Sequence, residues 1–281
     1  MLNTYRINGV EIGFDDQGYA PGRPAIVLLP GWGHDHRAFD RLLPYLRPHH
    51  RVVRVCWRGH GVDRTLVGDF GVAEQVSDTI GLLDALEVES FIPLSHAHGG
   101  WAAMDIAEKL GAERVPALLL LDLIMTPPPP EFAAGLQALQ RKETWRAAQQ
   151  ALVDSWLAGS VDQSVLDHVR YEAGGHGFDM WARSGRVIEN AYATWCSPMG
   201  RLDKLTEPRP VRHVFSHPKS LDYDAVHEEF RRTHPWFGYT RLDGHTHFPG
   251  IELPDRVAAE LFDLIGTERA ADSAVLEEQS K

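Results

Sequence analysis

A chain of 281 residues, 43% hydrophobic and 24% charged, has enough apolar material for one large globular domain, or for one domain with an insertion. Its net charge of −11, with no Lys/Arg cluster, argues against nucleic acid and anionic membranes as partners. The opening MLNTYRINGVEIGFDD lacks a signal-peptide pattern, the longest apolar run (Val115 to Met125) is too short to cross a bilayer, and Cys56 and Cys196 form no paired motif, so a reducing, cytoplasmic setting is expected.

Taken in chain order, short apolar runs alternate with helical patterns, which predicts βαβ units and a mostly parallel sheet. Strands are expected at Val10 to Phe14, Ala25 to Leu29, Arg51 to Cys56, Ser90 to Leu94 and Val115 to Leu121, with two more at Val211 to Phe215 and Gly238 to Leu242. Helices are expected at Ala38 to Leu46, Val72 to Leu86, Gly99 to Leu110, Asp224 to Thr233 and Asp255 to Gly266. The rhythm breaks at TPPPPEF, because four consecutive prolines continue neither a helix nor a central strand. From Glu131 to about Met199 the pattern is helical and rich in aromatics. The expected division is therefore a core over residues 1–126 and 200–267, an inserted helical cap over 127–199, and a polar, frayed tail over 268–281.

In such sheets the chemistry gathers at the carboxyl ends of strands. Those ends hold PGWGHDH (Pro30 to His36), SHAHGGW (Ser95 to Trp101), Asp122 and GHTHFPG (Gly244 to Gly250). The second has the small-residue frame of a strand-to-helix nucleophile elbow, but its central position is Ala97. The order elbow, acid, histidine is that of the α/β-hydrolase triad, so a proton acceptor and a carboxylate remain without a nucleophile. Asp122 competes for the acid position with Asp222 and Asp224, which follow the next strand. His247 competes with His245 for the base, and is favoured because Phe248 and Pro249 fix it. A rival frame takes Ser95 as the nucleophile of an esterase, but it places Pro93 in a central strand, where proline fits poorly. The pairs His34/His36, His96/His98 and His245/His247 also raise a facial-triad Fe(II) site, although tight loops need not bring them together. A non-catalytic ligand receptor is a further reading of an elbow without a nucleophile.

PGWGHDHRAFD, WRGHG, SHAHGGW, LDLIM, WARSGRVIENAY, HPWF and THFP together resemble the cofactor-free 3-hydroxy-4(1H)-quinolone 2,4-dioxygenases. The resemblance covers nearly the whole chain, cap included. It implies an α/β-hydrolase fold that cleaves a heteroaromatic ring with O2, releases carbon monoxide and an N-acylanthranilate, and uses no metal, flavin or other organic cofactor. Relatives of this type often carry Ser in the elbow (S-H-S-H-G-G-W), where this chain has Ala97. The resemblance further implies His247 as base oriented by Asp122, and backbone amides after Ala97 and Trp32 holding the substrate's C4 oxygen. It places His34, His98 and Trp156 along the pocket, with room for O2 beside the Ala97 methyl. Among Trp145, Trp156, Phe178, Trp181, Tyr192 and Trp195, one or two cap aromatics are expected to face the flat ring. A 2-alkyl chain, as in the Pseudomonas quinolone signal, is the expected C2 substituent. The expected partners are thus a small 3-hydroxy-4(1H)-quinolone and O2.

Overall fold

The strands form one eight-stranded sheet in the order β1-β2-β4-β3-β5-β6-β7-β8, seen in a computed structural model that describes residues 2–61, 68–173 and 175–266. The tail expected at 268–281 lies outside the described residues. The hairpin of β1 (Asn3–Ile7) and β2 (Val10–Gln17) is antiparallel, as is the β2–β4 pair, and all later pairs are parallel. β1 escaped the sequence reading because its side chains are mostly exposed and carry no apolar alternation. The signal available was the dipeptide Asn8–Gly9, whose positive φ angles (49° and 81°) suit a tight hairpin turn.

β3 (Ala25–Leu29), β4 (Val52–Val55), β5 (Phe91–His96) and β6 (Leu118–Leu121) are buried throughout, as strands covered on both faces must be. β7 (Val211–Phe215) and β8 (Phe237–Arg241) complete the sheet. Pro93 lies inside central strand β5, opposite Val27 of β3, within the strand expected at Ser90 to Leu94 although proline fits poorly at such a position. Pairing of β5 with β6 begins only at Leu94, past the proline, so its missing N–H interrupts no described bond to β6.

The single helix expected at Ala38 to Leu46 is two pieces, a 3-10 turn at His36–Phe39 and the short α1 (Leu43–Leu46), with Pro44 at the start of the latter. Helix α2 (Val72–Ala85) is close to its expected span, and α3 (Gly99–Arg114) runs longer, with Gly111 at φ 73° breaking its helical geometry. Val115 closes α3, which is why β6 starts at Leu118 and not at Val115. Between β6 and β7 lie α4 (Pro130–Leu139), α5 (Trp145–Leu157), α6 (Gln163–Asp167), a π-helical turn (His168–Ala173), α7 (Phe178–Trp195) and α8 (Pro198–Leu202). The remaining helices are α9 (Leu221–Thr233), α10 (Pro249–Glu252) and α11 (Pro254–Ile265). Two large apolar clusters fill the opposite faces of the sheet, one built around Val27, Phe91 and Leu120, the other around Ile26, Leu94 and Leu119. The alternation along each strand sends neighbours to opposite faces, and so fixes the strand ends that carry the site.

Candidate active site

β5 ends in a strained turn. Ala97 has φ 47°, a left-handed conformation unusual for a residue with a Cβ. Its N–H donates to Leu121 O at 2.8 Å, and its own carbonyl accepts from Gly100 N. The helix that follows can begin at once because Gly99 and Gly100 have no side chain. A Cβ on Gly99 would stand 2.4 Å from Pro30 O, and one on Gly100 would stand 2.7 Å from Leu123 Cδ2. The elbow frame centred on position 97 is therefore the one present in the fold. Ser95 sits two residues earlier, inside β5 opposite Leu29 and Leu120, and is wholly buried. An esterase working through Ser95 has no route to a substrate.

The loop after β3 abuts the elbow. A Cβ on Gly31 would lie 3.3 Å from the Ala97 Cβ and 3.5 Å from His96 Nδ1. Among the described residues the amides of Trp32, Gly33 and His98 make no hydrogen bond, while those of His34 and Gly100 are taken up within their own turns. Free N–H groups at two abutting turns, one of them at the start of α3, suit developing negative charge on an oxygen. The Trp32 indole stacks on Phe70 at 5.5 Å and 5°, edge-on to His60.

Asp122, one residue past β6, also has positive φ (50°) and is buried. Its Oδ1 lies 3.8 Å from His247 Nδ1, and its Oδ2 has no hydrogen-bond partner. His247 comes from the loop after β8, with 19% of its side chain exposed. Its backbone is gripped from both sides. Its N–H donates to Trp156 O at 2.8 Å, and its carbonyl accepts from His96 Nε2 at 2.8 Å. Trp156, on α5, lays its indole parallel to the His247 ring at 5.8 Å and 19°. His245 is exposed, its amide tied to Glu252. Asp222 is exposed in the first turn of α9, and Asp224 pairs with Arg241 at 2.6 Å. The fold thus brings together Asp122 and His247, and not their rivals.

Four other histidines surround this pair. His34 Nδ1 is 2.8 Å from His168 Nε2, with the rings stacked at 5.0 Å. His96 packs against His34, His247 and Phe248. His98 stacks on Phe132 at 5.5 Å and 12°, edge-on to Tyr192. Burial lowers His34 and His96 well below the usual imidazole range, and lowers His98 to about 3, so all three are neutral near pH 7. His96 Nε2 must carry hydrogen to reach a carbonyl, so its unpartnered Nδ1 is a bare acceptor. Among the described residues no three His, Cys, Asp or Glu side chains converge as a metal-ligand set, although one member of each H-x-H pair, His34, His96 and His247, meets as ring neighbours. His36 instead turns away to Cys56, at 3.3 Å.

His168, Phe132 and Phe70 were not legible in the sequence as site residues, since each lies in a segment without a motif. His96 stands inside the elbow motif, where the sequence offers it only as a possible metal ligand and not as a neighbour of the His247 ring. Of the aromatics expected in a cap, Trp156 meets His247 and Tyr192 meets His98, whereas Trp145 pairs with Phe178 and Trp195 with Arg201.

A profile of the alpha/beta hydrolase family matches residues 26–260. The 2-heptyl-3-hydroxy-4(1H)-quinolone dioxygenase of Mycobacteroides abscessus is 63% identical over 96% of this chain and 100% of its own length. This chain belongs to the 3-hydroxy-4(1H)-quinolone dioxygenase family, on the alpha/beta-hydrolase fold. A more distant family member, the 1H-3-hydroxy-4-oxoquinoline 2,4-dioxygenase of Pseudomonas putida, is 33% identical over 94% of this chain and 99% of its own. A solved structure of a family dioxygenase that recognises and ring-cleaves the Pseudomonas quinolone signal, in complex with its substrate, superposes with a TM-score of 0.93. That protein is 62% identical, over 95% of this chain and 100% of the other. Among the described residues no helix is long and apolar enough to cross a membrane.

Proposed function

We propose that this protein is a dioxygenase that opens the heteroaromatic ring of a 2-alkyl-3-hydroxy-4(1H)-quinolone with O2. The observation that carries this is the pairing of Asp122 with His247 below an elbow whose central residue is Ala97, in a chain that belongs to the quinolone dioxygenase family. A base without a nucleophile suits a reaction that begins with proton removal and forms no acyl-enzyme.

His247 takes the proton of the 3-hydroxyl, and the buried Asp122 carboxylate stabilises the imidazolium that results. The free amides of Trp32, Gly33 and His98 receive the C4 oxygen. The anionic ring is then rich enough in electrons to pass one to O2. Recombination forms the C2–O bond, and the terminal peroxide oxygen attacks C4. The bridged peroxide collapses by cleavage of its O–O bond and of the C2–C3 and C3–C4 bonds. Both oxygen atoms end in the N-acylanthranilate, and C3 leaves as carbon monoxide with its own oxygen. No cofactor takes part in this scheme. His34, His98 and Trp156 line the ring site, and residues 127–199 act as a cap over it. The cysteines Cys56 and Cys196 are free thiols, in keeping with the reducing, cytoplasmic setting proposed here.

Purified protein is incubated in air with 2-heptyl-3-hydroxy-4(1H)-quinolone. The expected result is one O2 consumed for each carbon monoxide and N-octanoylanthranilate formed. Substrate that binds without O2 uptake would mark a receptor instead.

A further inference from the structure

The acid turn is held from outside the sheet. Beyond Asp122 the chain leaves β6, so Leu123, Ile124 and Met125 have no strand ladder to occupy their peptide groups. Leu123 and Met125 are nonetheless buried at 1% and 0% exposure. Met199 N–H donates to Met125 O at 3.3 Å, and two phenols supply further partners. Tyr223, in the first turn of α9, accepts from Met125 N–H at 2.9 Å and donates to Leu123 O at 3.2 Å. Tyr192, on cap helix α7, donates to Ile124 O at 2.9 Å. Three consecutive residues after the carboxylate are thus fixed by two side chains that arrive from different elements.

Tyr223 is itself anchored. His227 Nδ1 donates to the Tyr223 carbonyl at 2.8 Å, which leaves His227 Nε2 as an acceptor for His213 Nδ1, also at 2.8 Å. Burial raises both phenols above the ordinary tyrosine range, so they remain protonated donors throughout any working pH. Asp122 needs such support. Its backbone is left-handed (φ 50°), and such residues persist only where the surroundings over-determine them. A turn free to relax would carry the carboxylate away from His247, now 3.8 Å distant.

We propose that Tyr192 and Tyr223 form a clamp that positions Asp122 toward His247. α9, which carries the rival acids Asp222 and Asp224, contributes between them the residue that aims Asp122. Through Tyr192 the cap is fastened to the same turn. The clamp rests on the dyad reading above.

The test is a pair of double-mutant cycles, Tyr192→Phe and Tyr223→Phe, each made in the parent chain and in Asp122→Ala. Each phenylalanine loses one hydroxyl and keeps the ring that packs beside it. In the parent, kcat is expected to fall about 3–10-fold for each, with KM within about twofold, as the loss of a hydrogen bond that orients the acid implies. In Asp122→Ala the same substitutions are expected to change kcat by less than about twofold, since the group they aim is gone. Equal losses in both backgrounds would reduce the phenols to structural supports, and no loss in the parent would overturn the clamp. If Tyr223→Phe fails to fold, the Tyr192 cycle decides alone. Absence of turnover in the parent would defeat the proposed function, and parental kcat in Asp122→Ala would defeat the dyad. Both results are distinct from failure of the clamp.

Discussion

Removing the Asp122 carboxylate is the most direct probe of the dyad. When His247 accepts the substrate proton, a full positive charge appears beside the carboxylate. At 3.8 Å their attraction is about 1 kcal/mol if water screens it and about 4 kcal/mol at an effective dielectric constant of about 20. Those limits correspond to factors of about 5 and about 10³ in rate. Asp122 is almost wholly buried and His247 only one-fifth exposed, which favours the upper half of that range. Asp122→Ala should therefore lower kcat about 10²-fold, measured by oxygen uptake with saturating quinolone. Asp122→Asn should lose nearly as much, because it keeps the shape and loses the charge. At 3.8 Å there is no hydrogen bond for the amide to preserve. A variant within about threefold of the parent, or a larger loss from Asp224→Ala than from Asp122→Ala, would refute the assignment.

Replacing His247 with Ala should cut turnover by about 10²–10⁴-fold while leaving quinolone binding in place, and the loss should shrink as pH approaches the pKa of the substrate hydroxyl. His245→Ala should leave that profile unchanged. Ala97→Ser should keep ring cleavage, and a fluorophosphonate should label neither Ser95 nor any other serine of the parent. A label on Ser95 would reverse the choice of elbow. If the cap encloses the 2-alkyl chain, kcat/KM should rise from methyl to heptyl by up to about fourfold for each methylene that becomes buried, and a flat series would place the tail in solvent. Chelators should not alter activity, and stoichiometric iron whose removal abolishes turnover would overturn the cofactor-free scheme.

The sheet was legible because its central strands are short, mostly apolar stretches bounded by turn residues, unbroken at Ala25–Leu29 and Leu118–Leu121 and interrupted by Arg212 and His213 at Val211–Phe215. The exposed β1 had no such pattern and was seen only in the fold. Asp122 and His247, the proposed acid and base, were legible as strand-end residues, since the topology dictates where those ends lie. The choice of Asp122 over Asp224 was not. It depends on which carboxylate the turn after β6 directs at His247, and that turn is shaped by Tyr192 and Tyr223, about 70 and 100 residues away. The His34–His168 contact was hidden for the same reason, its partners being 134 residues apart.

The neutral histidines give a further prediction that needs no substrate. Burial lowers His60 to about 3, against 6.5 for an unperturbed imidazole, and burial also depresses His34, His96, His98 and His213. Below pH 6.5 the unfolded chain takes up protons at these positions while the folded chain does not. The unfolded state then binds more protons, so stability is full above about pH 6.5 and falls as the pH drops toward 3. Each such histidine costs about 1.4 kcal/mol per pH unit across that window, so His60 alone costs about 2 kcal/mol at pH 5. His34 and His96 are ring neighbours and their costs do not simply add, but the group as a whole is set against a total stability of about 5–15 kcal/mol. The melting temperature should therefore fall by more than about 10 °C between pH 7.5 and pH 5, and stay nearly flat from pH 7.5 to 9. A melting temperature that held to pH 5 would mean that these imidazoles are already charged in the fold. The proposed mechanism needs those beside the dyad, His34, His96 and His98, to be neutral. A ring of imidazolium groups would hold the electron density of the quinolone anion in place and oppose its transfer to O2, whereas neutral imidazoles can orient the anion by hydrogen bonds and leave it free to react.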